Sequence, residues 1–347
     1  MRPHGVHLHH GLETGHQQGG ELSHPLFDLL AAVQASGSIQ RAAASLGASY
    51  RHVWGALKRW ESELGRPLVT WTQGHPAQLT PHAQALLARE RLLRARHAPQ
   101  IAALRADLER LFEYAAGDEA LVLELPAVPD LALTLLRDAA IERHGLHLAL
   151  QPRCSADALA ALASGRSPVA AFALPQDAAA EPALAAPLAA LAGGGFVVLL
   201  ALRRTLGLMA PAQALPGGVA AVVEAGLRLA GRPPGSSAEI VWRRLCRRAG
   251  FAPPVPARVE PTHEAAATAV AQGLADAAFG CESAAAAQGL AFRPLAEDRL
   301  LLAAAAEAPE PPALAALRAA VADATWRQAL SALPGVEPLP AATALAS

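Results

Sequence analysis

Apolar positions recur at helical spacing through the first well-patterned part of the chain. In Leu26-Phe27-Asp28-Leu29-Leu30-Ala31-Ala32-Val33, either Phe27, Leu30 and Val33 or Leu26, Leu29 and Val33 share one helical face, and Gly37 stands where a C-cap belongs. A second helix is predicted from Ser38 or Ile39 to Leu46, its Ala42-Ala43-Ala44 cluster permitting close packing, before a tight turn at Gly47 and Ala48. Ser49 can cap a third helix over Tyr50 to Leu64 that turns Val53, Leu57 and Trp60 inward. From Pro81 to about Ala116, Leu86, Leu87, Leu92, Leu93, Ile101, Leu104, Leu108, Leu111 and Phe112 recur at helical spacing among many charges. That pattern predicts a long amphipathic connector kinked near Pro99.

After Gly117 the pattern changes to short apolar runs alternating with helices. Strands are predicted at Leu121 to Leu125, His147 to Gln151, Phe196 to Leu200, Leu227 to Ala230 and Ala277 to Gly280, and helices at 128–143, 156–164, 237–249 and 263–272. Such alternation implies an α/β region with a mostly parallel sheet, as one compact body or two lobes. The resulting division is a Gly/His/Gln-rich disordered arm at 1–21, a helical module at 22–80, a linker helix at 81–116, the α/β region at 117–335 and a Pro/Ala-rich loose tail at 336–347.

Two helices joined by a Gly-bearing turn, with alanines at the crossing, meet the requirements of a helix-turn-helix. The start of the third helix offers Ser49, Tyr50, Arg51 and His52 and, farther along, Gly55, Lys58 and Arg59, with Arg41 on the preceding helix. These donor-rich side chains suit base edges and phosphates of double-stranded DNA. From Gly37 to His97 there are nine Lys/Arg against three acids, although the whole chain carries a formal charge of −1. A wholly basic nucleic-acid coat is therefore excluded, whereas a DNA-facing module on a near-neutral protein fits; a basic solvated helix pair would show the same charge.

Alanine supplies much of the 52% hydrophobic content and aromatics only 4%, which predicts a helix-heavy protein. Lys58 is the single lysine, a bias that reads as genome composition before function. The three cysteines, Cys154, Cys246 and Cys281, form no CxxC pair, so neither a disulfide framework nor a zinc site is expected. No apolar run reaches the roughly 18 to 20 residues of a membrane span, because Arg203 and Arg204 break the strongest one, Gly195 to Leu202. The opening residues lack the pattern of a signal peptide, and the cytoplasm is the expected location. His4, His7, His9, His10 and His16 are read as part of a flexible tail that captures metal only adventitiously.

Three hydroxyl-bearing helix starts stand out in the α/β region. Gly231-Arg232-Pro233-Pro234-Gly235-Ser236-Ser237 ends a strand-like run and opens a helix, Cys154-Ser155 precedes another, and Pro261-Thr262-His263 a third. Each alone reads as an ordinary N-cap; together their hydroxyls and N–H groups can surround an oxyanion, with Arg232 adding a charge-assisted bond. No GxSxG, SxxK, HExxH, Walker or dinucleotide fingerprint is present, so no catalytic residue is assigned.

Residues Ala32 to Ser49, including Ala35-Ser36-Gly37-Ser38-Ile39-Gln40-Arg41-Ala42-Ala43, followed by Val53-Trp54-Gly55-Ala56-Leu57-Lys58-Arg59-Trp60-Glu61 through Val69, closely resemble the winged helix-turn-helix of LysR-type and especially ModE-type bacterial regulators. The resemblance implies a β-wing over Leu68 to Leu79 and a linker helix starting after Leu79-Thr80-Pro81, through which such regulators usually dimerise. His82-Ala83 replaces the acidic residue or Gly common there. The apolar stripe over 84–112 suits a dimer seam, and packing on the protein's own body would give the same stripe. Residues from Arg232 to Ser237, from Pro261 to Gly280 and from Gly289 to Arg299 resemble the type 2 periplasmic-binding-protein-like domain fused to ModE-like regulators.

The implied fold class is α+β multidomain, an all-α-rich winged helix-turn-helix followed by a two-lobed α/β periplasmic-binding-protein-like domain with ligand between the lobes. The implied function is a DNA-binding transcriptional regulator responding to a small anion such as molybdate or tungstate, held by Ser155, Arg232, Ser236, Ser237 and Thr262 with His263 nearby, and with no covalent cofactor. Two departures bear on the ligand. Ala238 and Glu239 replace the usual Thr and Arg, and Pro126-Ala127-Val128-Pro129-Asp130 replaces the usual Gly-Ser-like motif. A larger molybdenum-containing or organic anion, or no ligand at all, is the alternative these departures open.

Overall fold

A computed structural model of the chain describes residues 24–71, 76–116, 121–192, 195–306 and 310–340, with the backbone alone over 109–116. The arm expected at 1–21 and the end of the expected tail, 341–347, lie outside the described residues. Helices α1 (Pro25–Ser36), α2 (Ile39–Ser45) and α3 (Tyr50–Leu64) follow the predicted periodicity. The hydroxyls of Ser38 and Ser49 accept the N–H groups of Arg41 and His52, capping α2 and α3. Gly37 ends α1 at φ 62°, a conformation costly for a residue with a Cβ.

Leu30, Val33, Ala42, Val53 and Leu57 form the module's core with Leu68, Leu79 and Leu87. Strands β1 (Val69–Thr70) and β2 (Gln78–Leu79) pair antiparallel as the two sides of the wing. Glu61 fastens that wing to α3, its carboxylate accepting the N–H groups of Leu68 and Val69 at 2.8 and 3.3 Å. Thr80 then accepts the Ala83 N–H and donates to the Pro67 carbonyl, which fixes the exit into α4 (Pro81–Ala116).

Helix α4 includes Pro99, and its apolar stripe is divided among surfaces. Leu87 joins the core of the amino-terminal module, and Leu92 is buried with Met209, Ala265 and Ala269 of the α/β region. Leu93 and Leu104 stay exposed. The stripe therefore serves the protein's own body in part and leaves apolar groups over; the side chains of Leu111 and Phe112 are outside those described.

The α/β region continues through β3 (Leu121–Ala127), α5 (Leu131–His144), β4 (Leu146–Pro152), α6 (Ser155–Ala163), β5 (Val169–Pro175), α7 (Pro182–Ala192) and the long β6 (Phe196–Ala210). It then runs through α8 (Val219–Glu224), β7 (Leu229–Gly231), α9 (Ser237–Arg248), β8 (Arg258–Val259), α10 (His263–Ala271), β9 (Ala277–Cys281) and α11 (Glu282–Ala287). The return strand β10 (Ala291–Ala305) leads to α12 (Pro312–Ala322), α13 (Ala324–Ser331) and β11 (Val336–Pro338). Residues 336–338, read from the sequence as tail, thus pair with β6.

The sheet order is β4-β3-β5-β10-β6-β9-β7-β8, with β11 on β6. The first lobe gathers β3, β4 and β5, the second β7, β8 and β9, and the antiparallel pair β6 and β10 runs through both. This corrects the expectation of a mostly parallel sheet. The flanking pairs β3/β4 and β7/β8 are parallel, but the chain returns from the second lobe along β10 beside β6, which puts antiparallel strands at the centre. Gly207 marks the close approach of these strands, since a Cβ there would lie 2.0 Å from the Arg293 carbonyl oxygen. The predicted helix from 128 begins only at Leu131, because the Asp130 carboxylate accepts the Ala132 N–H at 2.8 Å and caps it. Among the described residues no helix is long and apolar enough to cross a membrane.

Candidate DNA-binding face and effector cleft

Helix α3 buries Val53 and Leu57 and turns Tyr50, Arg51, His52, Lys58 and Arg59 outward, with Ser49 exposed at its cap. Tyr50 stacks on Trp54 with ring centroids 6.2 Å apart, and the Lys58 ammonium sits 4.7 Å from the Trp54 ring centroid while pairing with Glu61 at 2.8 Å. Arg41 donates to the Ser36 carbonyl at the end of α1. The Arg51, His52 and Arg59 side chains make no hydrogen bond or ion pair among the described residues. An N-capped helix whose free cationic and aromatic groups lie along one exposed edge can meet base edges with its first turn and phosphates with the next.

The remaining predicted site residues stand at a strand end and at helix starts of the α/β region. Arg232 follows β7, Ser236 and Ser237 open α9, and Thr262 and His263 open α10. Ser155 opens α6 in the first lobe, where its hydroxyl oxygen accepts the Ala173 N–H at 3.1 Å and ties α6 to β5. Ser236 and Thr262 act as N-caps, accepting the Glu239 and Ala265 N–H groups at 3.4 and 2.9 Å. Glu239 turns back to accept the Gly235 N–H at 3.2 Å and faces Arg243 at 3.7 Å, so its charge is used at the start of α9.

Arg232 and Ser237 differ from these caps. Arg232 donates from Nη1 to the Glu260 carbonyl at 2.6 Å, yet its Nε is buried with no partner, as is the Ser237 Oγ. The two residues are 9% and 4% exposed, which makes such orphaned donors expensive unless something else meets them. Burial lowers the Arg232 pKa to about 10, and the nearby charge of Arg204 acts in the same direction. His263 is held neutral: burial first, then Arg232 and Arg204, push its pKa well below the usual value. Its Nδ1 accepts the Cys281 N–H at 3.3 Å, and its ring lies so close to β9 that a Cβ on Gly280 would come within 2.8 Å of it.

Several charged groups at this site carried no role in the sequence reading. Arg204, which interrupts an apolar run, is buried on β6 and bonds Asp298 through Nε and Nη2 at 2.8 and 2.6 Å and Asp130 through Nη1 at 2.6 Å. Burial acts to lower its pKa, but the carboxylates of Asp298 and Asp130 raise it well above the ordinary value. The amino-terminal end of α5, where an anion would be favoured, is therefore taken by the chain's own Asp130 carboxylate. Glu264, one residue into α10, has its pKa raised by burial and then by Asp130. Glu260, fully buried, binds Arg96 of α4 with both oxygens, at 2.5 and 2.8 Å, and Arg258 at 3.1 Å. The one sequence signal for these groups was a charged residue inside an apolar pattern, which marks burial with a partner without telling which partner.

Residues 137–322 match the PBP superfamily domain, and residues 26–84 match the family described as bacterial regulatory helix-turn-helix protein, lysR family. None of the curated proteins matches the chain. Similar solved structures include an OxyR mutant from Corynebacterium glutamicum, 18% identical with 89% of this chain and 93% of that one covered and a TM-score of 0.41. Full-length LysG from Corynebacterium glutamicum with bound effector Arg is 20% identical, with 85% and 95% covered and a TM-score of 0.39. ArgP from Mycobacterium tuberculosis is 19% identical, with 87% and 98% covered and a TM-score of 0.40.

Proposed function

The chain belongs to the PBP superfamily and carries a lysR-family bacterial regulatory helix-turn-helix ahead of that domain, and from this premise we propose that it is a ligand-responsive LysR-type transcriptional regulator. The observation that carries this reading is the exposed, N-capped α3 with the unengaged side chains of Arg51, His52 and Arg59. Two copies joined along α4 by Leu93 and Leu104 would present two such helices to successive major grooves of bacterial DNA, in the cytoplasm. The chain acts by binding and needs no catalytic residue.

The effector favoured by the cleft is a small anion, with molybdate and tungstate the first candidates, meeting the orphaned Arg232 Nε and Ser237 Oγ. A second reading, an effector other than a bare oxyanion or none, is favoured by Asp130, whose carboxylate already fills the start of α5. The DNA reading is tested by fluorescence anisotropy with Arg51→Ala and Arg59→Ala on selected operator and random duplexes. Loss of a base contact should weaken operator binding by about 1–3 kcal/mol with less effect on random DNA, and loss of a phosphate contact should weaken both alike. Unaltered affinity in both variants would remove α3 as the DNA-reading element.

A further inference from the structure

The two lobes touch at a place apart from the strands they share. Helix α9 follows β7 and packs Ala238, Val241, Trp242 and Cys246 into the core of the second lobe with Leu229 and Phe279. Its Ile240 is buried instead among Leu159, Phe172, Leu174 and Ala178 of the first lobe. One turn on, Arg243 and Arg244 reach the segment of the first lobe that leaves β5, from Gln176 to Glu181.

Glu181 closes this contact. Its Oε1 accepts from Nε and Nη2 of Arg244 at 3.1 and 2.6 Å, and its Oε2 accepts from Nη2 of Arg243 at 3.0 Å. Arg244 also donates from Nη1 to the Gln176 carbonyl and from Nη2 to the Asp177 carbonyl, the latter at 3.2 Å. Asp177 stands at φ 53°, the one positive φ among the described non-glycine residues, a left-handed conformation that Asp tolerates better than most. A lone exposed ion pair holds little. Here one carboxylate, 13% exposed, takes two guanidinium groups and Arg244 spans three acceptors, so the contact is a network whose members order one another.

We propose that α9 is a clasp: Ile240 and the Glu181 network hold the two lobes together in the free protein, and any hinge motion about β6 and β10 must first release them. A protein built in this way rests with its lobes fastened, and a ligand acts by favouring or opposing their release. The inference rests on the fold and on no particular effector. Ser237, whose Oγ is unpartnered, opens the same helix, so an occupant bound there would act directly on the element that carries the clasp.

The test is hydrogen exchange read by mass spectrometry on the full-length protein. Val128 and Asp130 of the first lobe and Thr262 and Glu264 of the second border one cavity, so amides in 128–134 and 262–268 report a separation of the lobes. In Glu181→Gln both segments should exchange about tenfold faster, while α1 to α3 keep wild-type protection. Arg244→Gln should do the same, and the double variant should be no faster than either single one, because both changes break one network. Raising potassium chloride from about 0.05 to about 0.5 M should accelerate the two segments in the wild-type chain and leave Glu181→Gln unmoved. Acceleration confined to 176–184 or spread evenly over the chain, additive effects of the two substitutions, wild-type protection in both variants, or a wild-type chain indifferent to salt would each overturn the proposal.

Discussion

An N–H or hydroxyl buried without a partner forfeits about 1–3 kcal/mol of hydration, so each such group calls for an occupant. The Arg232 Nε and Ser237 Oγ are two such groups, whereas the hydroxyls of Ser155, Ser236 and Thr262 already accept backbone N–H groups. An anion satisfying the two orphans should raise the unfolding free energy of the full-length protein, by about 2.7 kcal/mol at one hundred times Kd. Molybdate, tungstate and sulfate titrated at constant ionic strength check this, and Ser237→Ala should reduce the shift. An absence of any anion-dependent shift would leave the orphans to another ligand. The sequence marked all of these positions equally, as hydroxyl-bearing helix starts, because capping ability is local. Which hydroxyl is spent depends on β5 lying beside Ser155 and on the turn at Gly235, both tertiary facts.

At the scale of elements, α4 shows why periodicity alone could not assign the linker stripe. Every leucine on it obeys the same spacing, yet Leu87 packs into the amino-terminal module, Leu92 into the α/β region, and Leu93 and Leu104 face outward. Large exposed apolar groups on a helix fit a second copy of the chain. Sedimentation velocity should therefore find a dimer that Leu93→Glu combined with Leu104→Glu shifts toward monomer, with the circular dichroism of the fold retained; a dimer of unchanged strength would place the seam elsewhere. Strands β6 and β10 show the opposite failure. The apolar run of β6 is legible only to Leu202, since Arg203, Arg204 and Thr205 break it, and yet the strand continues to Ala210. It persists because Asp298, opposite Arg204 in the register of β10, and Asp130 neutralise the guanidinium that burial would otherwise penalise.

For the whole molecule, one residue joins the cleft to the linker. The Glu260 carbonyl accepts from Arg232, and the Glu260 carboxylate holds Arg96 of α4. An anion that draws on Arg232 thereby acts on the residue that anchors the linker helix, and its differential affinity for two arrangements of α4 would become a change in operator affinity. Arg96→Gln should leave anion binding within about threefold while bringing operator affinities with and without the anion close together; Arg258 stays beside Glu260 to neutralise it. Anisotropy titrations on operator DNA read this directly, and an anion response of undiminished size would exclude the Arg96 link.

The sequence by itself determined the local structure: caps at Ser38, Ser49 and Thr262, the turn at Gly37, the helical faces of α1 to α3, and the charge excess around the DNA-binding module. These depend on propensity, spacing and composition, which act over a few residues. Tertiary structure alone decided the antiparallel centre of the sheet, the Asp130, Arg204 and Asp298 cluster and the hold of Arg243 and Arg244 on Glu181, for which partners come from distant parts of the chain. Burial of a charge is settled by whichever distant group arrives beside it, and a linear pattern carries no record of that arrival.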